Sequence, residues 1–102
     1  MNINDSYRFI AKTLNHHLDL RHTQAFIFGS RTNKQAQKYS DIDIGLTPLQ
    51  PIPLTKICLI KETLENSDIP YLVDLVDFSR VSNNFKKIAL KKTIDLKTFL
   101  HD

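Results

Sequence analysis

The stretch Ala25-Phe26-Ile27-Phe28-Gly29-Ser30-Arg31, followed after a polar interval by Ser40-Asp41-Ile42-Asp43-Ile44, decides how this chain is read. Residues 25–28 are apolar and read as a strand. That strand stops at Gly29-Ser30, where a turn can aim free backbone N–H groups at an anion. Asp41 and Asp43 stand two residues apart among the β-branched Ile42 and Ile44, so on a strand over 41–46 both carboxylates face the same side. The two halves complement each other, because Mg²⁺ favours one or two carboxylates plus polyphosphate oxygens at roughly 2.0–2.1 Å. An Asp-x-Asp pair alone is a weak signal, since acidic residues at strand ends commonly face water or cap turns.

A third carboxylate strengthens it. Tyr71-Leu72-Val73-Asp74-Leu75-Val76-Asp77 reads as a strand over 71–76 that is apolar on both faces except at Asp74, a pattern that predicts a central position in a sheet. A carboxylate buried there carries a desolvation penalty unless it is paired or holds a cation. Strand parity puts Asp74 on the face of Leu72 and Val76, whereas Asp77 points the opposite way and reads as a turn or cap residue.

Gly-Ser-Arg, an interval, Ser-Asp-Ile-Asp and then the strand of Asp74 together resemble the signature of the DNA polymerase β-like nucleotidyltransferase superfamily. Within it the chain looks like the minimal nucleotidyltransferases (MNT proteins), small bacterial and archaeal proteins usually encoded beside a HEPN-domain partner. The resemblance runs from about Ala25 to about Ile88, with one departure: Asn33-Lys34 stand where many relatives have Arg-Gly. It implies a nucleotidyltransferase fold, α+β with an α/β-like order, in which helices pack against a small mixed β-sheet. It implies that Asp41, Asp43 and Asp74 are the catalytic residues and the ligands of two Mg²⁺ ions, and that Gly29, Ser30, Arg31 and Ser40 bind the nucleotide. The activity implied is transfer of a nucleoside monophosphate, AMP from ATP, onto a hydroxyl of a HEPN-type toxin partner, with this chain as antitoxin. The alternative is a catalytically idle subunit that neutralises its partner by complex formation.

Composition bounds the rest. A length of 102 residues predicts one domain over 1–102, and 41% hydrophobic with 25% charged residues is ordinary for a folded soluble protein and excludes a disordered one. No apolar run reaches the ~18–20 residues of a membrane span, and residues 1–5 lack the basic and apolar regions of a signal peptide, so a cytoplasmic protein is expected. The single Cys58, among Ile57, Leu59 and Ile60, reads as a core residue. A formal charge of +3 falls short of indicating nucleic-acid binding, and none is expected. The positive charge is nonetheless uneven: Arg80, Lys86, Lys87, Lys91, Lys92 and Lys97 gather in the last quarter, as a solvated helix face or as a contact for phosphates or an acidic partner.

Periodicity supplies the other elements. Asn4 or Asp5 caps a first helix with Phe9 or Ile10, Leu14 and Leu18 on its apolar face, ending near Leu20-Arg21. Residues 34–38 form a short helix or an open loop in which Lys34 and Lys38 can steer a polyphosphate, and Tyr39 can stack on a base or lid the sheet. Pro48, Pro51 and Pro53 make a stiff connector that leaves Leu49 and Ile52 exposed. A second helix carries Leu54, Ile57, Cys58, Ile60 or Lys61, and Leu64 along one side and ends by Asn66-Ser67. Ser79 or Ser82 caps a last helix bearing Val81, Phe85, Ile88 and Ala89, and residues 93–100 are a short strand or docked tail. His16, His17, His22 and His101 lack metal-ligand spacing and read as surface residues.

Overall fold

A computed structural model describes residues 1–33 and 40–100; the segment 34–38, Tyr39 and His101 lie outside the described residues. The elements are α1 (Ile3–His17), β1 (Thr23–Phe28), a 3-10 turn (Gly29–Thr32), β2 (Ile42–Pro48), α2 (Leu54–Glu65), β3 (Val73–Asp77), a 3-10 turn (Phe78–Arg80), α3 (Asn83–Ala89), β4 (Ile94–Asp95) and a closing 3-10 stretch (Leu96–Leu100). They build an α+β domain on one mixed sheet of order β3-β2-β1-β4, with β1 antiparallel to β2 and β4 and with β2 parallel to β3.

Alternation along the strands divides the sheet into two faces. Ala25, Ile27, Ile42, Ile44, Leu46 and Leu75 enter the main core, which α1 fills with Ile10, Ala11 and Leu14 and α2 with Ile57, Ile60 and Leu64. On the other face Phe26, Phe28 and Phe78 form a separate aromatic cluster, packed against Val76, Val81 and Ala89. Gly45 is required there, since a Cβ on it would collide with the ring of Phe26 and stand 2.8 Å from Cε1 of Phe78.

Several expectations are corrected. The cap of α1 is Asn2, whose side-chain oxygen accepts the Asp5 backbone N–H at 2.7 Å, so Asn4 and Asp5 already belong to the first turn, where a carboxylate favours the helix dipole. Helix α1 ends at His17 because Leu18 turns extended and drops into the core. Only Ile57, Ile60 and Leu64 of α2 face the core; Leu54 and Cys58 lie on its exposed side, because the helix has only one flank against the sheet. In the proline connector Leu49 is exposed as expected, but Ile52 is buried at 5% exposure and pins the connector to the main core. Ser82 is the cap of α3, accepting the Phe85 backbone N–H at 3.1 Å.

The largest correction concerns β3. It begins at Val73 rather than Tyr71 and is an edge strand, because α2 returns the chain parallel to β2 while β4 pairs on the far side of β1. Leu72 is accordingly 76% exposed and Asp74 is exposed as well. The apolar pattern arises because Leu75 enters the core and Val76 packs on the aromatic cluster. Hydrophobicity along a strand reports whether its faces are covered, not whether both edges are paired.

Candidate active site

Strand register brings the predicted residues to one end of the sheet. Phe28 of β1 lies opposite Asp43 of β2, and Asp43 lies beside Asp74 of β3, so the three form one cross-strand row on the aromatic face. The next row is Phe26, Gly45 and Val76, which supports the carboxylates from below. Asp41 precedes β2 rather than belonging to it, so strand parity does not set its direction as the sequence predicts, and it is exposed.

Burial distinguishes the three carboxylates, and not as the sequence suggests. Asp74 reaches solvent from its edge strand, so the desolvation argument does not apply to it. It applies to Asp43, which is half-buried on the central strand, and burial pushes its carboxyl above the ordinary 3.8, reinforced by the negative charge of Asp74 and then of Asp41. Gly29 closes one side of this site. It takes φ +78°, a conformation that favours glycine, and a Cβ at this position would collide with Oδ2 of Asp43. The turn backbone therefore abuts the carboxylate that most needs a cation. Ser30 is exposed on that turn, and the Thr32 hydroxyl donates to the Gly29 carbonyl at 2.6 Å, bracing it from within.

Arg31 is committed to the scaffold. Its Nε and Nη2 donate to the Ser40 carbonyl at 3.1 and 2.6 Å, and its guanidinium stacks 4.8 Å from the centre of the Tyr71 ring. The Gly29–Thr32 turn is thus tied both to the residue before Asp41 and to the segment leading into β3. This geometry displays Arg31 as a brace of the turn, and Ser40 meets it through its carbonyl.

Asp77 points away from the row. Its carboxylate accepts the Ser79 N–H at 2.9 Å and the Ser79 hydroxyl at 2.6 Å, and it pairs with Arg80 at 3.3 Å. This is the cap role that strand parity predicts. Asp74→Asn is expected to abolish transfer with the fold intact, whereas Asp77→Asn retains most activity and costs less than about 1 kcal/mol, since an asparagine oxygen still accepts from Ser79 and only the Arg80 ion pair is lost. An essential Asp77 beside a dispensable Asp74, in side-by-side transfer assays, would overturn the assignment.

Beside the turn opens a cavity of about 440 Å³, lined by Phe28, Phe85, Ile88 and Ala89, by residues 29, 32 and 33, and by the exposed Lys91 and Lys92. Sequence reasoning did not single out Phe85 and Ile88 as lining a site. The usable signal was the Ser82 cap, which sets Phe85, Ile88 and Ala89 on one flank of α3 just ahead of two lysines.

Among the described residues no three Asp, Glu, His or Cys side chains form a ready-made metal nest. The donors nevertheless fit Mg²⁺, which takes one or two protein carboxylates and completes its shell with phosphate oxygens and water. The half-buried Asp43, crowded by two like charges, is the group such a cation would relieve.

Residues 9–98 match the family model for polymerase beta, nucleotidyltransferase. The chain belongs to this nucleotidyltransferase family. The nucleotidyltransferase is 38% identical, over 64 residues, to a Haemophilus influenzae protein named probable protein adenylyltransferase MntA, a match covering 63% of this chain and 56% of that one. The aligned part thus spans little more than half of that relative. Among solved structures, an MNT antitoxin complex with a tri-AMPylated Shewanella oneidensis HEPN toxin matches with TM-score 0.67 and 23% identity over 89% of this chain and 68% of that one. A toxin–antitoxin structure with AMP-PNP matches with TM-score 0.71 and 22% identity over 90% of this chain and 72% of that one. These likenesses establish that the nucleotidyltransferase shares their fold. No helix among its described residues is long and apolar enough to cross a membrane.

Proposed function

We propose that this nucleotidyltransferase, with Mg²⁺, transfers a nucleoside monophosphate, AMP from ATP, to a hydroxyl on a HEPN-type toxin partner, breaking the bond between the α- and β-phosphates and releasing pyrophosphate, and thereby acts as the partner's antitoxin. The observation that carries the reading is the row of Asp43 and Asp74 against the Gly29 turn, with Asp41 close enough to raise the Asp43 carboxyl further. Family membership supports the reaction class, and the names of the Haemophilus influenzae relative and of the MNT–HEPN complexes support the acceptor.

Mg²⁺, when bound, supplies positive charge that neutralises the polyphosphate and lowers the pKa of the attacking hydroxyl. Asp41, Asp43 and Asp74 would hold it. The Gly29-Ser30 backbone would orient the phosphates beside Asp43, with the exposed Ser30 hydroxyl donating to a phosphate oxygen. Asp74, exposed on the edge strand, is open to an acceptor arriving from outside and can take the hydroxyl proton as attack on the α-phosphorus begins. Arg31 fixes the turn to Ser40 and so keeps Asp41 in position. Most of the rate enhancement is then electrostatic and positional.

Co-expression with a HEPN-domain partner tests the proposal. The expected result is a stable complex in which ATP and Mg²⁺ add one or more adenylyl units to the partner, read by intact-mass spectrometry and lost with Asp41→Asn. Neutralisation that is equally effective with both proteins, without any mass gain, would replace this reading with that of an idle binding subunit.

A further inference from the structure

Strand β3 offers a defined set of backbone groups at the sheet edge. The Leu72 carbonyl accepts the Ile42 N–H at 2.9 Å, and Asp74 and Val76 follow in register against Asp43 and Gly45. Successive residues of a strand direct their N–H and C=O to alternate sides. Leu72, Asp74 and Val76 therefore turn theirs toward β2, while Val73, Leu75 and Asp77 turn theirs off the sheet. Among the described residues no strand pairs with this edge.

The side chains along the edge suit an extended, basic peptide. Leu72 is 76% exposed and borders a groove of about 330 Å³, lined by Leu64 and Glu65 of α2 and by residues 69–73. Glu65, Asp68 and Asp74 are exposed, and among the described residues none of the three has an ion-pair partner. Arg31, over the Tyr71 ring, is engaged by the Ser40 carbonyl. The edge also runs directly into the reacting row. Because the backbone groups of Asp74 face β2, a residue opposite Asp74 on an added antiparallel strand forms a non-hydrogen-bonded pair, the kind in which Cα atoms stand only ~4.5 Å apart and side chains lie closest. The row Phe28, Asp43, Asp74 then continues into that residue.

Resting on the transfer reading above, we propose that the acceptor hydroxyl is carried on an extended, basic segment of the partner protein that adds to β3 as a fifth, antiparallel strand. Main-chain hydrogen bonds to Val73, Leu75 and Asp77 hold the segment, while Leu72 and the carboxylates of Glu65 and Asp68 select its side chains. Register sets the hydroxyl-bearing side chain beside Asp74. Its oxygen bonds to the α-phosphorus as the bond between the α- and β-phosphates breaks, its proton passes to the Asp74 carboxylate, and pyrophosphate leaves.

Residue-resolved amide hydrogen exchange on the full chain, alone and with a HEPN-domain partner, tests the pairing apart from the chemistry. The N–H groups of Val73, Leu75 and Asp77 are expected to exchange at least about ten-fold more slowly in the complex. Steady-state transfer supplies the second readout. Val73→Pro removes an outward N–H that β2 does not use, and Glu65→Lys reverses a charge of the groove; each should raise KM for the partner about ten-fold and leave KM for ATP unchanged. Glu65→Lys keeps the test valid if Val73→Pro fails to fold, because Glu65 is exposed. Edge amides that exchange equally fast with and without the partner, or an unchanged partner KM in the folded variants, overturn the added strand and leave the transfer site standing. Protection that arises in the free chain as its concentration rises assigns the edge to a second copy and overturns the proposal as well. If the wild type adds no adenylyl group to the partner, the transfer reading fails, and the acceptor assignment with it, whatever the amides show.

Discussion

Asp43→Asn is expected to abolish nucleotidyl transfer, by about a hundred-fold or more, and at the same time to raise the melting temperature at neutral pH. The two effects have one cause. Asp43 sits half-buried on the central strand against the Gly29 turn, with Asp74 beside it and Asp41 near it, and its carboxyl is held above the ordinary 3.8. The folded state therefore keeps the Asp43 proton to higher pH than the unfolded chain does. Stability contributed at this position is present at low pH and falls as pH rises from the unfolded value through the raised folded one, staying lower above it. Asparagine keeps nearly the same volume and removes the charge that causes the fall. The gain in melting temperature over wild type should thus be small in acid, grow as pH rises through that window, and level off at neutral pH. Thermal unfolding across pH, with transfer measured on the same samples, checks both halves. A variant less stable than wild type at neutral pH would show that Asp43 is not the strained carboxylate described here; retained transfer would remove it from the catalytic set.

Gly45→Ala is expected to be among the most damaging conservative changes to the fold, destabilising it by about 1–3 kcal/mol, as overpacking in a tight core does. On the central strand β2, an added methyl meets the Phe26 ring directly and approaches Cε1 of Phe78 at 2.8 Å. Neither ring can withdraw freely. Phe26 packs edge to face on Phe78 with centroids 5.0 Å apart, and Phe78 in turn meets Phe28 at 5.1 Å and Phe85 at 5.5 Å. The displacement passes to Phe28, which shares its row with Asp43, and to Phe85 on α3. Reduced activity should therefore accompany the lost stability even under conditions where the variant remains folded. Chemical denaturation followed by circular dichroism measures the first effect and transfer assays the second. A midpoint equal to wild type would mean that the aromatic cluster is loose.

The strand–turn–strand from Ala25 to Ile44 was legible because each of its signals is local: an apolar run, a glycine where the chain must turn, and two carboxylates separated by one residue. The opposite fates of Asp74 and Asp77 were legible for the same reason, since the two-residue strand period assigns their faces without reference to any other segment. The cap of α3 was narrowed to Ser79 or Ser82 from its own helix, and the structure chooses Ser82. Cys58 and Ile52 were misjudged because burial depends on what stands opposite a residue, and an apolar neighbourhood in sequence carries no information about that.

By itself, then, the sequence determined the α+β order of elements, the glycine turn and the opposite faces of Asp74 and Asp77, all properties of short segments governed by backbone geometry. Only the tertiary structure decided that β3 lies at the sheet edge, that Asp43 rather than Asp74 is the desolvated carboxylate, that Arg31 braces Ser40 and Tyr71, and that α3 walls a cavity beside Gly29. Each of these depends on which strand pairs with which and on what packs across the sheet. Such contacts join residues far apart in the chain, and no periodicity within a single segment encodes them.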